Sequence, residues 1–371
     1  MVNEKKELNI GKIIVIFVAS FFLGAGAFYG VIKLYPATFI KQITKLEKDV
    51  TVNENGIADA VEKIYDAVVV VLTYKGNNLY ASGTGFVYQT DAKKAYILTN
   101  YHVIESGSEI KVSFTNETVE TVTVEGGDKY SDIAVLSLDK DKVIKVASIG
   151  DNSKTRVGDT VFAVGAPLND TYSWSVTRGI VSGKDRLVEV SSTKNTYQTD
   201  YIMNVLQTDT AINSGNSGGP LSNSNGEVIG ITSMKLVSNG VEGMGFAIPI
   251  ETALDYAKKI INHEKIKRPY LGVSMINVTD ALSSPEYNAI LSGMKITSGV
   301  VVADIDSDSA ASKAGLKAGD IITKIGDKNV KSIAYLRYEL YKHNVGDLIE
   351  ITYIRNNKTN KATVKLTAKS S

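Results

Sequence analysis

Reading along the chain, the first apolar run is also the longest. Ile13 to Ile32 reads IIVIFVASFFLGAGAFYGVI, without a charged side chain. As a helix rising about 1.5 Å per residue it would span roughly 30 Å, the hydrocarbon thickness of a bilayer. The pattern predicts a transmembrane anchor over residues 13–34 behind a cytoplasmic tail of residues 1–12. Lys5, Lys6 and Lys12 precede the run and Lys33, Lys41 and Lys45 follow it, so flanking charge says little about orientation. Ala25-Gly26-Ala27 also fits a signal-peptide cleavage site. Apolar residues continue past that point through Phe28, Tyr29, Val31 and Ile32, which favours an uncleaved anchor. Both readings put the rest of the chain outside the cytoplasm.

Beyond a polar, Lys/Glu-rich linker over residues 35–56, the texture changes. Short apolar runs recur at Val68–Leu72, Gly85–Tyr88, Ala95–Leu98, Ile133–Leu136, Thr160–Val164 and Glu227–Ile231, separated by Gly, Asn, Asp and Ser. Many short strands with turn signals between them predict an all-β barrel or sandwich. Glu251 to Asn262 then carries Ala253, Leu254, Ala257, Ile260 and Ile261 at helical spacing. The charged stretch His263–Lys267 suits a boundary. The expected division is a first domain over residues 57–263 and a second over residues 268–369. The second mixes strands with helix: Ala334–His343 has helical periodicity, and Ile349–Ile354 alternates like a half-buried strand.

At 371 residues the chain is too long for a single compact core, in line with two folded domains. Its net charge is +1 with Lys and Arg scattered, so nucleic acid gains no support as a partner. No cysteine is present, which rules out disulfides, iron–sulfur clusters and thiolate zinc sites. The three histidines, His102, His263 and His343, lie far apart and none falls in an H-E-x-x-H pattern. No metal and no cofactor are expected.

The strongest chemical signal is Gly215-Asn216-Ser217-Gly218-Gly219-Pro220. A serine flanked by glycines lets backbone N–H groups converge on one point, as an oxyanion hole requires. Gly215-x-Ser217-x-Gly219 also satisfies the nucleophile elbow of α/β-hydrolases, in which the acid and the histidine follow the serine. Here the later histidines lie beside a charged linker and in a helical stretch, and the better partners lie upstream. Thr99-Asn100-Tyr101-His102-Val103 follows an apolar strand, so His102 leaves at a strand end, and Ser131-Asp132-Ile133-Ala134-Val135-Leu136 puts Asp132 just before another. Asp128 is an alternative acid on composition alone. The order His, Asp, Ser is that of chymotrypsin-type proteases.

These blocks, with Gln207–Leu221 and Gly243–Pro249, resemble the signature segments of the HtrA (Deg) serine proteases. Downstream, Tyr270-Leu271-Gly272-Val273 resembles the carboxylate-binding loop of a PDZ domain, and Ser309–Ile322 its core motif. The resemblance implies two six-stranded, chymotrypsin-like β-barrels with the triad His102, Asp132 and Ser217 between them, followed by a small α+β PDZ domain. It implies an oxyanion site at the backbone of Gly215, Asn216 and Ser217, and a substrate pocket near Ala211, Ile212 and Met244. It implies a bacterial, stress-related, single-pass membrane enzyme, assembled as a homotrimer, that degrades or processes unfolded or misfolded exported proteins. The PDZ loop Tyr270–Val273 would take C-terminal peptides, with Arg268 adding charge attraction. The polar segment from Lys184 to Tyr201 matches no family motif and lies where regulatory loops vary. A rival in another class is a catalytically silent, membrane-tethered chaperone or peptide-binding adaptor.

Overall fold

The computed structural model describes residues 10–34, 55–166, 174–190, 201–233, 243–291 and 293–368. Helix α1, Ile10–Leu34, stands as a unit of its own. Its stretch Ile14–Val31 is apolar and uncharged, and its Phe17, Phe21, Phe22 and Leu23 side chains are exposed. Ser20 donates its hydroxyl to the Ile16 carbonyl at 2.8 Å, so its polar group is satisfied inside the helix. Much of the expected linker lies outside the described residues. Its end and the residues after it form α2, Asn55–Ile64, where strand-like texture was expected to begin. Ala60 and Ile64, one turn apart, are fully buried against the barrels.

The first sheet comprises β1 Val68–Lys75, β2 Asn78–Thr90, β3 Lys94–Asn100, β4 Glu109–Ser113, β5 Val119–Thr121, β6 Thr123–Asp128 and β7 Ile133–Asp139. Its order is β5-β4-β1-β2-β3-β7-β6. Only Val122 separates β5 from β6, and its N–H donates to the Ile110 carbonyl at 3.1 Å. The two ends of the sheet are thus one bent length of chain, and the sheet wraps into a barrel of six effective strands. The unbroken apolar run in β1 has a simple cause. Val69 and Val71 point into this barrel, while Val68, Val70 and Leu72 are buried on the opposite face. A strand covered on both sides loses its polar alternation.

The second barrel is closed: β8 Thr160–Gly165, β9 Ser175–Val190, β10 Tyr201–Thr208, β11 Pro220–Asn223, β12 Val228–Thr232 and β13 Gly245–Pro249 pair in the order β10-β13-β12-β11-β8-β9. Lys184–Val190, expected in a loop, belongs to β9 and pairs with β10. Residues 191–200 of that expected loop lie outside the described residues. The connection from β3 to β4 begins with the short α3, Tyr101–Ile104. Helix α4, Ile250–Ile261, follows β13 and buries Ile250, Ala253, Ala257 and Ile260 along one stripe.

The C-terminal part has the sheet order β15-β16-β17-β19-β20, made of Val273–Asn277, Val300–Ile305, Ile321–Ile325, Leu348–Arg355 and Lys358–Lys365, with β18, Lys328–Asn329, on β17. A second small pair joins β14, Pro269–Tyr270, to β21, Thr367–Ala368. The helices are α5 Val278–Ala281, α6 Pro285–Leu291, α7 Ala310–Lys313 and α8 Ile333–Leu340. The last is shorter than its periodicity predicted. It stops at Leu340, where the Tyr341 N–H closes onto the Arg337 carbonyl at 2.9 Å.

Candidate active site

Antiparallel pairing of β3 with β7 sets Asn100 opposite Ile133, so Asp132 sits just beyond the last rung. There it takes a left-handed backbone, φ 56°, which an aspartate tolerates better than a branched residue. Its carbonyl accepts from the Tyr101 N–H at 3.1 Å and from Asn100 Nδ2 at 3.0 Å. The chain turns into α3 at this point, and the fully buried Asp132 carboxylate reaches His102 in two ways. Oδ1 accepts from the His102 backbone N–H at 3.0 Å, and imidazole Nδ1 lies 3.0 and 2.8 Å from Oδ1 and Oδ2. A carboxylate at Nδ1 holds the proton there and leaves the Nε2 lone pair outward. Ser233, at the end of β12, donates its hydroxyl to Oδ2 at 3.1 Å. The sequence reading missed this residue, because a lone serine after an apolar run carries no signal.

The serine comes from the other barrel, on the turn between β10 and β11. Gly215 and Gly218 adopt φ 100° and 86°, which side chains rarely do. A Cβ on Gly218 would strike the Thr84 carbonyl and Thr99 Oγ1, so this turn packs directly on β2 and β3. The Thr84 N–H donates to the Ser217 carbonyl at 2.8 Å, Thr84 Oγ1 to the Gly215 carbonyl at 2.6 Å, and the Gly218 N–H to the Thr232 carbonyl at 2.8 Å. The same Gly218 position lies against the Asn100 N–H, two residues before His102. His102, Asp132 and Ser217 are therefore gathered where the two barrels meet. The Asn216 N–H is engaged with the Asn213 carbonyl at 3.0 Å. Of the three pocket residues, Ala211 and Met244 are exposed, whereas Ile212 is buried in the core of the second barrel.

Asp128 serves a different purpose from Asp132. Both of its oxygens bind the Arg268 guanidinium, at 2.7 and 2.6 Å, and Oδ2 also accepts from the Ser131 N–H and hydroxyl at 2.8 Å each. Burial pushes the Asp128 carboxyl up, but Arg268, with help from Ser131, outweighs burial and holds it below the ordinary carboxylate range. This pairing corrects the expectation for Arg268: its charge is neutralised by Asp128. In the C-terminal loop Leu271 and Val273 are buried and the Tyr270 hydroxyl donates to Asp306 Oδ2 at 2.9 Å. Gly272, φ 76°, lies so close to Ser309 that any Cβ would collide with it.

Residues 83–231 match the trypsin-like peptidase domain, and residues 269–366 match the PDZ domain. The chain is 39% identical over 331 residues to the serine protease Do-like HtrB of Bacillus subtilis (strain 168), covering 85% of this chain and 71% of that one. It is 38% identical over 352 residues to the serine protease Do-like HtrA of Lactococcus lactis subsp. cremoris (strain MG1363), covering 87% and 86%. Among solved structures, the HtrA-type protease AlgW with decapeptide superposes with a TM-score of 0.64 at 27% identity, covering 85% of this chain and 99% of that one. The serine endoprotease from Yersinia pestis does so with a TM-score of 0.61 at 28% identity, covering 85% and 98%.

Proposed function

The chain belongs to the HtrA (Do-like) family of serine proteases, and we propose that its chemistry is carried by Ser217, His102 and Asp132. Carbonyl attack by Ser217 passes its proton to His102 Nε2. Asp132 holds the imidazole by its Nδ1–H and offsets the positive charge that develops on the ring. The Gly215 and Ser217 N–H groups receive the oxyanion; as it collapses the C–N bond breaks and His102 gives its proton to the leaving amine, and water then cleaves the acyl-enzyme by passing its proton to His102, which returns it to Ser217. The observation that carries this reading is the fully buried Asp132 carboxylate, bonded at once to the His102 backbone, the His102 ring and Ser233.

The substrates in this reading are unfolded or misfolded exported chains at the outer face of the cell membrane. The apolar α1, with its side chains exposed, supports an anchor that sits in hydrocarbon. The PDZ region takes free C termini at Tyr270–Val273, where β15 is an edge strand open to an added strand. A homotrimer is the assembly expected of the family. Hydrolysis of casein by the purified protein tests the reading: turnover that disappears in Ser217→Ala supports it. A wild-type protein that binds unfolded casein without cutting it would instead make the chain a tethered chaperone.

A further inference from the structure

The groove of the PDZ region, about 430 Å³, lies between β15 and α8, with the 269–273 loop at one end and Leu336 and Leu340 along a wall. One lining residue does not belong to the PDZ fold. Tyr130 comes from the turn between β6 and β7 of the first barrel. Its ring stands edge-on to Tyr201 of the second barrel, centroids 5.6 Å apart, and edge-on to Tyr341 after α8, centroids 6.0 Å apart. The Arg268 guanidinium lies over its face, 4.7 Å from the centroid, and is itself held by both oxygens of Asp128. The ring is thus fixed from three sides while 41% of Tyr130 stays exposed. Arg268 directly precedes the 269–272 loop, and Tyr341 lines the groove together with it, so Tyr130 stands at the loop end. In that loop the Leu271 and Gly272 carbonyls are engaged by the Ala311 and Asp306 N–H groups at 2.9 and 3.0 Å.

We propose that Tyr130 is a specificity wall of the peptide groove. The protease barrel, together with the PDZ fold, limits the last residue of a bound C-terminal peptide to a small or medium aliphatic side chain. This rests on the reading of Tyr270–Val273 as a carboxylate-binding loop. A peptide that adds a strand to β15 with its carboxylate at the loop places its last side chain beside Leu271, Leu340 and the Tyr130 ring. A rigid ring braced by two other tyrosines and an arginine cannot retreat to admit an aromatic side chain without breaking those contacts. The barrel residue thereby discriminates by exclusion as well as by contact.

The test is fluorescence anisotropy with the full-length protein and two labelled peptides that differ only in ending in Val or in Phe. The wild type is expected to bind the Val peptide at least fivefold more tightly. Tyr130→Ala should shift the ratio of the two dissociation constants at least fivefold toward Phe, and Tyr130→Leu should shift it the same way with a filled side chain in case the Ala variant folds poorly. Tyr130→Phe should keep the wild-type ratio. A ratio unmoved in both smaller variants, or moved against Phe, while the wild type binds free-acid peptides and rejects amidated ones, would overturn the wall alone. Failure of the wild type to bind any free-acid peptide would overturn the carboxylate loop, and the wall with it.

Discussion

Asp128 grips the guanidinium of Arg268 with both carboxylate oxygens, and this bond joins the turn that precedes Asp132 to the residue that precedes the PDZ loop. The pair spans 140 residues of sequence and has little solvent around it: the side chains are 9% and 17% exposed. Its titration has a definite sign. The folded-state carboxyl lies below its ordinary value, so the contribution is complete above the unfolded carboxyl range, about pH 4, and is lost as pH falls through the lower folded value. Protection of the Asp306 and Ala311 amides, which donate to the Gly272 and Leu271 carbonyls, should hold from neutral pH down to about pH 4 and fall below it once the intrinsic pH dependence of exchange is divided out. Asp128→Asn should exchange faster at neutral pH and lose most of that acid dependence. An identical acid response in both proteins would show that the pair does not hold the loop.

Replacement of the proposed triad separates chemistry from folding. Ser217→Ala should lower casein turnover by about 10⁶ and Asp132→Asn by roughly 10⁴, with melting temperature little changed for Ser217→Ala. Asp128→Asn keeps His102 and Asp132 in contact and should retain most turnover. A dead Asp128→Asn beside an active Asp132→Asn would reverse the assignment of the acid.

Ser233 supplies a hydrogen bond to a buried charge. Ser233→Ala removes that donor from Asp132 Oδ2 and leaves the two His102 bonds in place. A bond to a charged group contributes about 1.5–3 kcal/mol, so kcat should fall about tenfold or somewhat more, with KM nearly unchanged. A change confined to KM would place Ser233 in substrate binding instead.

Cleavage specificity follows from what stands six residues before the nucleophile. In trypsin that position is an acid that selects Arg and Lys. Here it is Ala211, with the apolar Met244 exposed and Ile212 buried beneath. Digestion of a denatured protein should give product C termini ending mostly in Val, Ala or Ile. Mass spectrometry of the products decides the matter, and a majority of Lys or Arg ends would refute an apolar pocket.

Close backbone approach gives a fifth check. Gly218 combines a left-handed backbone with contacts that exclude a Cβ, against the Thr84 carbonyl and Thr99 hydroxyl. Gly218→Ala costs at least about 1–2 kcal/mol from the backbone alone, and the collision adds to that. The melting temperature should drop by several degrees, and turnover should fall as the Ser217 turn leaves β2. A variant that melts and turns over like the wild type would mean that the turn is free to move.

Local chemistry was legible in the sequence wherever one short segment held all of it. The glycines around Ser217, the strand-end positions of His102 and Asp132, the apolar stretch at residues 13–32 and the order His, Asp, Ser each follow from neighbours in the chain, because turn geometry, strand ends and hydrocarbon span are set within a few residues. Helix α2 does carry a helical period, with Ile57, Ala60, Val61 and Ile64 packed on the barrel core, but it is short and runs almost directly into the strand-like stretch that follows. What joined distant segments was decided by the tertiary structure alone. Asp128 and Asp132 are equivalent on composition, yet strand register sends one to Arg268 and the other to His102. Ser233 gains a role only because β12 ends beside Asp132, and Tyr130 meets the PDZ groove only because Arg268 and Tyr341 fold back against it. Hydrogen bonds and ring contacts depend on distances of a few ångströms between residues far apart in the chain, and no local pattern encodes those distances.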